Sequence, residues 1–550
     1  MASSHTSPRQ RRRADSVHKP RGVLNPRVKR VGPEHFGIVA IDCAKHRSKW
    51  MFTDFYGTIL APPTVVEHQE PAFRRMVDQI NRLREQHQIK DMIVAVEQTG
   101  TYHKHIKSYL VKACFEVRTV HPFATKSARL PADPGNKTDD TDLAAIFRAA
   151  VNGFALQEPS EDPQFVRMQL LERRRRDLVR ENASLRCRIR EHLQAYLPGF
   201  TNCFDDVFNN KIALIIAGRF PSAAAIRAAG RAGLEEVLAR DGVRYQGRSL
   251  TKVLAWAAKA PGGDAVPSTH QYIFYNMEQE RQAKLRQVAG LEAELLTLLV
   301  RTPYVLLLGI TGINVVSATE FAGEMGPIAN DSNARTITGR SGLYPARYQS
   351  DQVDRRDGKL VRSRNRALRH AILLIADNLM RCNPYFNDMS DRWREAGHDV
   401  RTIHVKVADR FCRIAYQVVA GRQAFRHPLC PRWDGVAEKV VEFIIDNNLI
   451  NYECTDSKIN VNVIVEQCLS HLPERSRAEE WDRIRGRGTA TVSGTTTVRP
   501  SAQWAELASG LLADQASSPL EYPLSGESFS EPSNRSRGPH NAECPQGEKP

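Results

Sequence analysis

The sequence contains no Cys-x-x-Cys pair and no uninterrupted apolar run of membrane-spanning length. Its ten cysteines are scattered, which excludes a zinc ribbon or a disulfide framework and fits a reducing cytoplasm. A spanning helix needs about 20 apolar residues; the longest candidate, Tyr304 to Ala318, is interrupted by Gly309, Thr311, Gly312 and Asn314. The N-terminus is rich in arginine but lacks the apolar core of a secretory signal. Acidic residues are in the minority: 62 Asp and Glu face 78 Lys and Arg, a formal charge of +16. A basic excess of that size points to a polyanionic partner, most often nucleic acid, or otherwise to a soluble basic protein in general. With 550 residues and 25% charged positions, the chain is too long for one core. Two or three domains plus tails are expected.

Four of the few acids stand out. Asp42 ends the apolar run Phe36 to Ile41, and Glu97 ends Met92 to Val96. Short β-branched runs of this kind read as buried parallel strands. Asp139 and Asp142 lie three apart at the start of a helical pattern, so both carboxylates share one helix face. Taken singly, each reads as a cap or a solvated loop residue. Taken together, they read as converging carboxylates, which repel unless a hard cation, Mg2+ or Mn2+, sits between them. Two such ions about 4 Å apart serve to attack a phosphodiester.

The rest of the chain divides by composition. Residues 1–33 read as a basic disordered arm with the run Arg9 to Arg13, either a phosphate clamp or a solubilising extension. Residues 34–155 alternate strand and helix patterns, the layout of an α/β RNase H-like (RuvC-like) domain. Residues 156–300 read as a long helical, coiled-coil region with an inserted Ala-rich helical segment at 201–265. In it Leu178, Leu185, Ile189, Leu193 and Leu197 form one apolar stripe. Arg173, Arg174, Arg175 and Arg176 project around that helix, either as a solvated face or as a phosphate-binding or subunit-pairing surface. Residues 301–425 read as an all-α domain. There LLGITGINVVSATEFAGEMG is similar to a helix-hairpin-helix motif, whose Gly turn presents N–H groups to a phosphate, or is an ordinary Gly turn. Residues 426–475 show only short helical patterns, and 476–550 form a low-complexity tail.

The motifs AIDCAKH, VEQTG and KTDDTDL, with Lys137 just ahead of the last pair, resemble those of the DEDD insertion-sequence transposases, which are bridge-RNA-guided serine recombinases. The resemblance spans roughly residues 35–425. It implies a RuvC-like catalytic domain whose metal ligands are Asp42, Glu97, Asp139 and Asp142, with Asp140 a bystander. In the C-terminal domain it implies a Gly-Leu-x-Pro turn, here Gly342 to Pro345, followed five residues later by a serine nucleophile, Ser350. Ser341, before the turn, matches no nucleophile. The family usually has Gly where this chain has Asp351, and Gly-Asn where it has Arg364-Asn365. Arg347, Arg362, Arg364, Arg366 and Arg369 then read as phosphate contacts or as a solvated basic face. The resemblance further implies donor and target DNA as substrates, a non-coding guide RNA that chooses sequence by base pairing, a homo-oligomer (dimer or tetramer) and a cytoplasmic, nucleoid-associated bacterial protein. Two alternatives stand beside it: a hydrolytic RuvC-like nuclease, which needs the acids and no serine, and an inactive nucleic-acid-binding derivative.

Overall fold

The computed structural model describes residues 20–132, 134–158, 162–350, 353–355, 358–361, 363–430, 435–450, 452–456 and 458–486. The chain divides into two units, residues 1–166 and 167–550.

The first unit is a mixed sheet covered on both faces. After helix α1 (Asn25–Val31) come strands β1 (Phe36–Cys43), β2 (Arg47–Asp54) and β3 (Ile59–Glu67), then α2 (Glu70–Gln86) and β4 (Asp91–Glu97). They are followed by α3 (His103–Lys112), β5 (Val117–Val120), α4 (Pro122–Arg129), α5 (Asp139–Val151) and the two-residue β6 (Ala155–Leu156). The strand order is β3-β2-β1-β4-β5-β6. β1, β4 and β5 run parallel, while β2 is antiparallel to β1 and β3 to β2. A three-strand antiparallel entry followed by parallel strands and helices fits an RNase H-like fold. Pro62 and Pro63 fall on β3, an edge strand, where a missing N–H costs no ladder bond.

Strand periodicity assigns the faces. Val39, Ile41, Val94 and Val96 pack with Phe73, Met76, Ile106 and Leu110 from α2 and α3. Phe36, Ile38, Ala40, Ile93 and Ala95 pack with Leu143, Ile146 and Ala149 from α5. Side chains alternate across a strand, so Asp42 and Glu97 continue the second set and point to the α5 face.

Residues 20–35 correct the expectation of a disordered arm to residue 33. Leu24 and Val28 are buried in the α5-side core. Arg27 forms a fork on Asp91 (2.5 and 2.9 Å) and reaches Glu116 at 2.6 Å. The Arg9 to Arg13 run lies outside the described residues.

The second unit is helical, with α6 (Pro163–Tyr196), α7 (Lys211–Arg219), α8 (Ala223–Arg240), α9 (Gly247–Lys259) and α10 (Pro267–Leu299). The apolar stripe of α6 is not left open for a partner helix. Leu185, Ile189, Leu193 and Leu197 share one core with Ile216, Ile226, Leu234, Leu250, Val253 and Phe274. The 201–265 insert therefore covers the stripe that the sequence offered as a pairing seam.

A 3-10 segment (Pro303–Gly309) then leads to α11 (Val315–Met325), α12 (Ala334–Ser341), the hairpin β7 (Tyr348–Ser350) and β8 (Val353–Arg355), α13 (Arg366–Cys382), α14 (Pro384–Glu395) and α15 (Val400–Gly421). The expected helix-hairpin-helix differs from the observed turn in its first limb, which is 3-10 rather than α-helical. Gly312 adopts φ +99°, and Asn314 caps α11 in a capping box with Ser317. The turn is held from inside: Lys439 donates to the carbonyls of Ile310 and Ile313, and Asn383 to that of Thr311. Lys439 belongs to α16 (Val436–Asp446), which with α17 (Val461–Ser470) and α18 (Glu474–Gly486) forms the C-terminal extension. Helix thus continues past residue 476, where the tail was expected to begin. Among the described residues no single helix is long and apolar enough to cross a membrane.

Candidate functional site

β1 and β4 are adjacent and parallel, with Ile41 opposite Val96. Their next residues, Asp42 and Glu97, therefore stand side by side at the carboxyl edge of the sheet. Helix α5 begins over the same edge. Its first residues are fixed by Thr138, whose hydroxyl accepts from the N–H of Thr141 at 3.2 Å while the Thr141 hydroxyl accepts from the N–H of Thr138 at 2.9 Å. This capping box presents Asp139 to solvent and turns Asp142 inward, 5% exposed.

Asp42 senses the other three acids. The Asp42 carboxyl is pushed up to about 6, first by burial and then by the charges of Glu97, Asp142 and Asp139, with Lys137 pulling the other way. Three cations partly balance the cluster. Arg129 donates to Oδ1 of Asp142 and Lys137 lies 3.2 Å from its Oδ2. Lys49, opposite Asp42 on β2, pairs with Asp140 at 2.6 Å. Among the described residues no three His, Cys, Asp or Glu side chains stand close enough together to hold an ion. The donors nevertheless fit one by chemistry: they are all carboxylate oxygens, and hard divalent cations favour such sets. Closing them on an ion requires Arg129 and Lys137 to release oxygens of Asp142.

Ser350 ends β7, opposite Val353 at the described tip of an exposed hairpin. The hairpin is braced at its base by Ala346 N–H to the Lys359 carbonyl and Val361 N–H to that of Tyr344. Ser341, in contrast, is fully buried and donates its hydroxyl to the Thr338 carbonyl at 3.1 Å, so it is closed to any substrate. Asp351 lies outside the described residues.

Two family models match the chain. One, described as a transposase and of the DEDD type, covers residues 39–198; the other, the transposase IS116/IS110/IS902 family, covers residues 304–391. The chain belongs to the IS110 transposase family. No curated protein matches it. The first match contains all four acids and the second contains Ser350. As a member of a transposase family, the protein is a DNA-acting enzyme of an insertion sequence.

The arginines expected to meet phosphate differ in what they touch. Arg173 forks onto Glu324 (2.9 and 3.1 Å), Arg176 meets Glu320 at 2.9 Å, and Arg175 meets Glu292 at 2.7 Å and Glu172 at 3.3 Å. These three hold α6 to α10 and α11, which corrects the expectation that the whole run projects outward. Arg174 alone of the four is more than half exposed, 3.6 Å from Glu181. Arg347 forks onto Asp354 across the hairpin, both bonds 2.9 Å. Arg369 binds the carbonyls of Ser341 and Val361 and so secures the Gly342 turn. Arg364 and Arg366 are exposed; Arg362 lies outside the described residues. The sequence reading missed Arg129 and Lys49. Neither stands in a motif; only the fold brings them to the acids.

Proposed function

We propose that this transposase cuts and rejoins DNA through Asp42, Glu97, Asp139 and Asp142, which hold Mg2+ (or Mn2+), and through Ser350 as nucleophile, guided to its sites by a non-coding RNA. The observation that carries the reading is the convergence of the four acids at one sheet edge, felt by Asp42 as mutual repulsion. The ion would supply charge neutralisation at the scissile phosphate. The chain's own residues do the rest. The Ser350 Oγ attacks phosphorus and gives up its proton. A phosphoserine ester forms as the bond to the departing DNA oxygen breaks, and that oxygen takes a proton. Attack by a DNA hydroxyl later releases the serine and reseals a strand. The exposed hairpin suits a nucleophile that must reach into a DNA backbone. Donor and target DNA are gripped by backbone contacts, with Arg364, Arg366 and Arg174 the freest of the basic candidates. The acids and the serine sit in separate units, which agrees with a homo-oligomer, dimer or tetramer, whose copies share a site. The setting is bacterial cytoplasm, at the nucleoid.

The test is a cleavage assay with the element's flanking non-coding RNA, labelled donor and target DNA, and Mg2+. A protease-sensitive protein–DNA adduct is expected on denaturing gels, absent in Ser350→Ala and in Asp142→Ala. Cutting that survives Ser350→Ala but not Asp142→Ala would instead identify a hydrolytic nuclease. Omitting the RNA should abolish adduct formation at the specific site.

A further inference from the structure

The carboxyl edge that carries Asp42 and Glu97 also carries two exposed aromatic side chains. The loop after β4 ends in Tyr102, 38% exposed, and Phe123, in the first turn of α4 just after β5, is 72% exposed. These strands are neighbours and parallel, with Glu97 opposite Val120 and the Gln98 N–H bonded to the Val120 carbonyl at 3.0 Å. Both loops therefore open on the same side of the sheet as the acids. Phe123 is fixed there rather than loose: its N–H donates to Nδ1 of His121, which caps α4. The far end of that short helix is tied to the site itself through Arg129 and Asp142. Lys104, two residues after Tyr102, and Lys126, three residues after Phe123, are both exposed.

Exposed rings at the edge that carries the acids offer flat faces on which bases can stack. Exposed aromatic rings with exposed lysines two and three residues along the chain, at the edge that carries the acids, match one occupant, a strand whose bases stack on the rings while its phosphates meet the ammonium groups. Resting on the reading above, we propose that Phe123 and Tyr102 form a stacking platform for unpaired nucleobases flanking the phosphate engaged by the acids. The site would then take an opened single strand, with Phe123 as a positioning residue.

The full-length protein is titrated with a single-stranded oligodeoxynucleotide carrying 2-aminopurine, whose fluorescence falls on stacking. Phe123→Ala should weaken single-strand affinity about ten-fold and abolish most of the quenching, with duplex affinity unchanged. Phe123→Tyr should restore both, and Tyr102→Ala should show a smaller loss. Equal quenching and affinity in Phe123→Ala would overturn the proposal. So would a shift of that variant to a smaller species in sedimentation, which would mean that the ring pairs copies of the chain. A wild type that quenches through Phe123 yet forms no adduct with Mg2+ would remove the strand-transfer reading and leave the platform standing.

Discussion

Arg129, at the end of α4, donates to the buried Oδ1 of Asp142 at the start of α5. The two side chains are 14% and 7% exposed, so the pair is a shielded one, and removing one partner strands the other. Breaking such a pair typically costs about 3–5 kcal/mol. Arg129→Ala is expected to lower the stability of the first unit by roughly 3 kcal/mol, measured by urea unfolding. Adding Asp142→Asn should recover much of that loss, because no buried charge then remains. Equal stability of Arg129→Ala and wild type would show that Lys137 and solvent suffice for Asp142.

Glu324 plays the corresponding part in the second unit. It is buried on α11, and its carboxylate accepts from Arg173, Gln169 and Asn365. Burial pushes its carboxyl up, but the Arg173 and Asn365 hydrogen bonds outweigh this and hold it below its ordinary value. Asn365 is also the N-cap of α13, its Oδ1 accepting from the N–H groups of Ala367 and Leu368, and it closes the segment that carries Ser350. Glu324→Ala should therefore cost roughly 3 kcal/mol and also loosen the serine hairpin. The expected result is faster hydrogen exchange across residues 344–361 together with a lower melting temperature. A drop in stability with unchanged exchange there would confine Glu324 to helix packing.

The strands and their acids were legible because a strand buried on both faces must be continuously apolar, and an acid at its end interrupts the run visibly. Asp42 and Glu97 stand out for that reason. The α6 helix was legible from its apolar stripe, but its partner was not: a stripe of leucines is the same whether a second copy or the insert that follows it in the same chain covers it. The arginine run misled for a related reason. Arg173, Arg175 and Arg176 find Glu324, Glu292 and Glu320 on helices more than a hundred residues away, and no local pattern records that distance. Phe123 was invisible because one aromatic in the first turn of a helix reads as core until its exposure is known.

Gly342 follows α12 at φ +68°. A Cβ there would run into the Val361 carbonyl oxygen and the Arg369 guanidinium, the same pair that ties the hairpin's return strand to the turn. Both obstacles are fixed by their mutual hydrogen bond. Left-handed backbone alone costs a non-glycine residue about 1–2 kcal/mol, and the contact adds to it. Gly342→Ala is expected to lower the melting temperature and to cut adduct formation at least ten-fold, with single-strand binding to the first unit unchanged. Normal adduct yield in this variant would mean that the turn does not position Ser350.

Glu172 provides a pH test of the buried network on α6. It is 2% exposed at the side chain, with Oε1 3.3 Å from Arg175 and Oε2 buried without a partner among the described residues. Burial pushes its carboxyl from an ordinary 4.5 up to about 7, with Glu320 and Glu292 adding to the rise and Arg175 and Arg176 opposing it. The folded state thus holds this proton more tightly than the unfolded chain does. Its stabilising contribution is complete below about pH 4.5 and is lost as the pH rises through about 7; between those values stability falls with pH, because the folded state binds the extra proton. Glutamine mimics the protonated form, and Arg175 keeps Glu292 at 2.7 Å in its absence. Glu172→Gln should therefore match the wild type near pH 5 and melt higher than it at pH 8. A variant with the wild-type slope across that range would place the titration elsewhere in the cluster, with Glu320 the next group to replace.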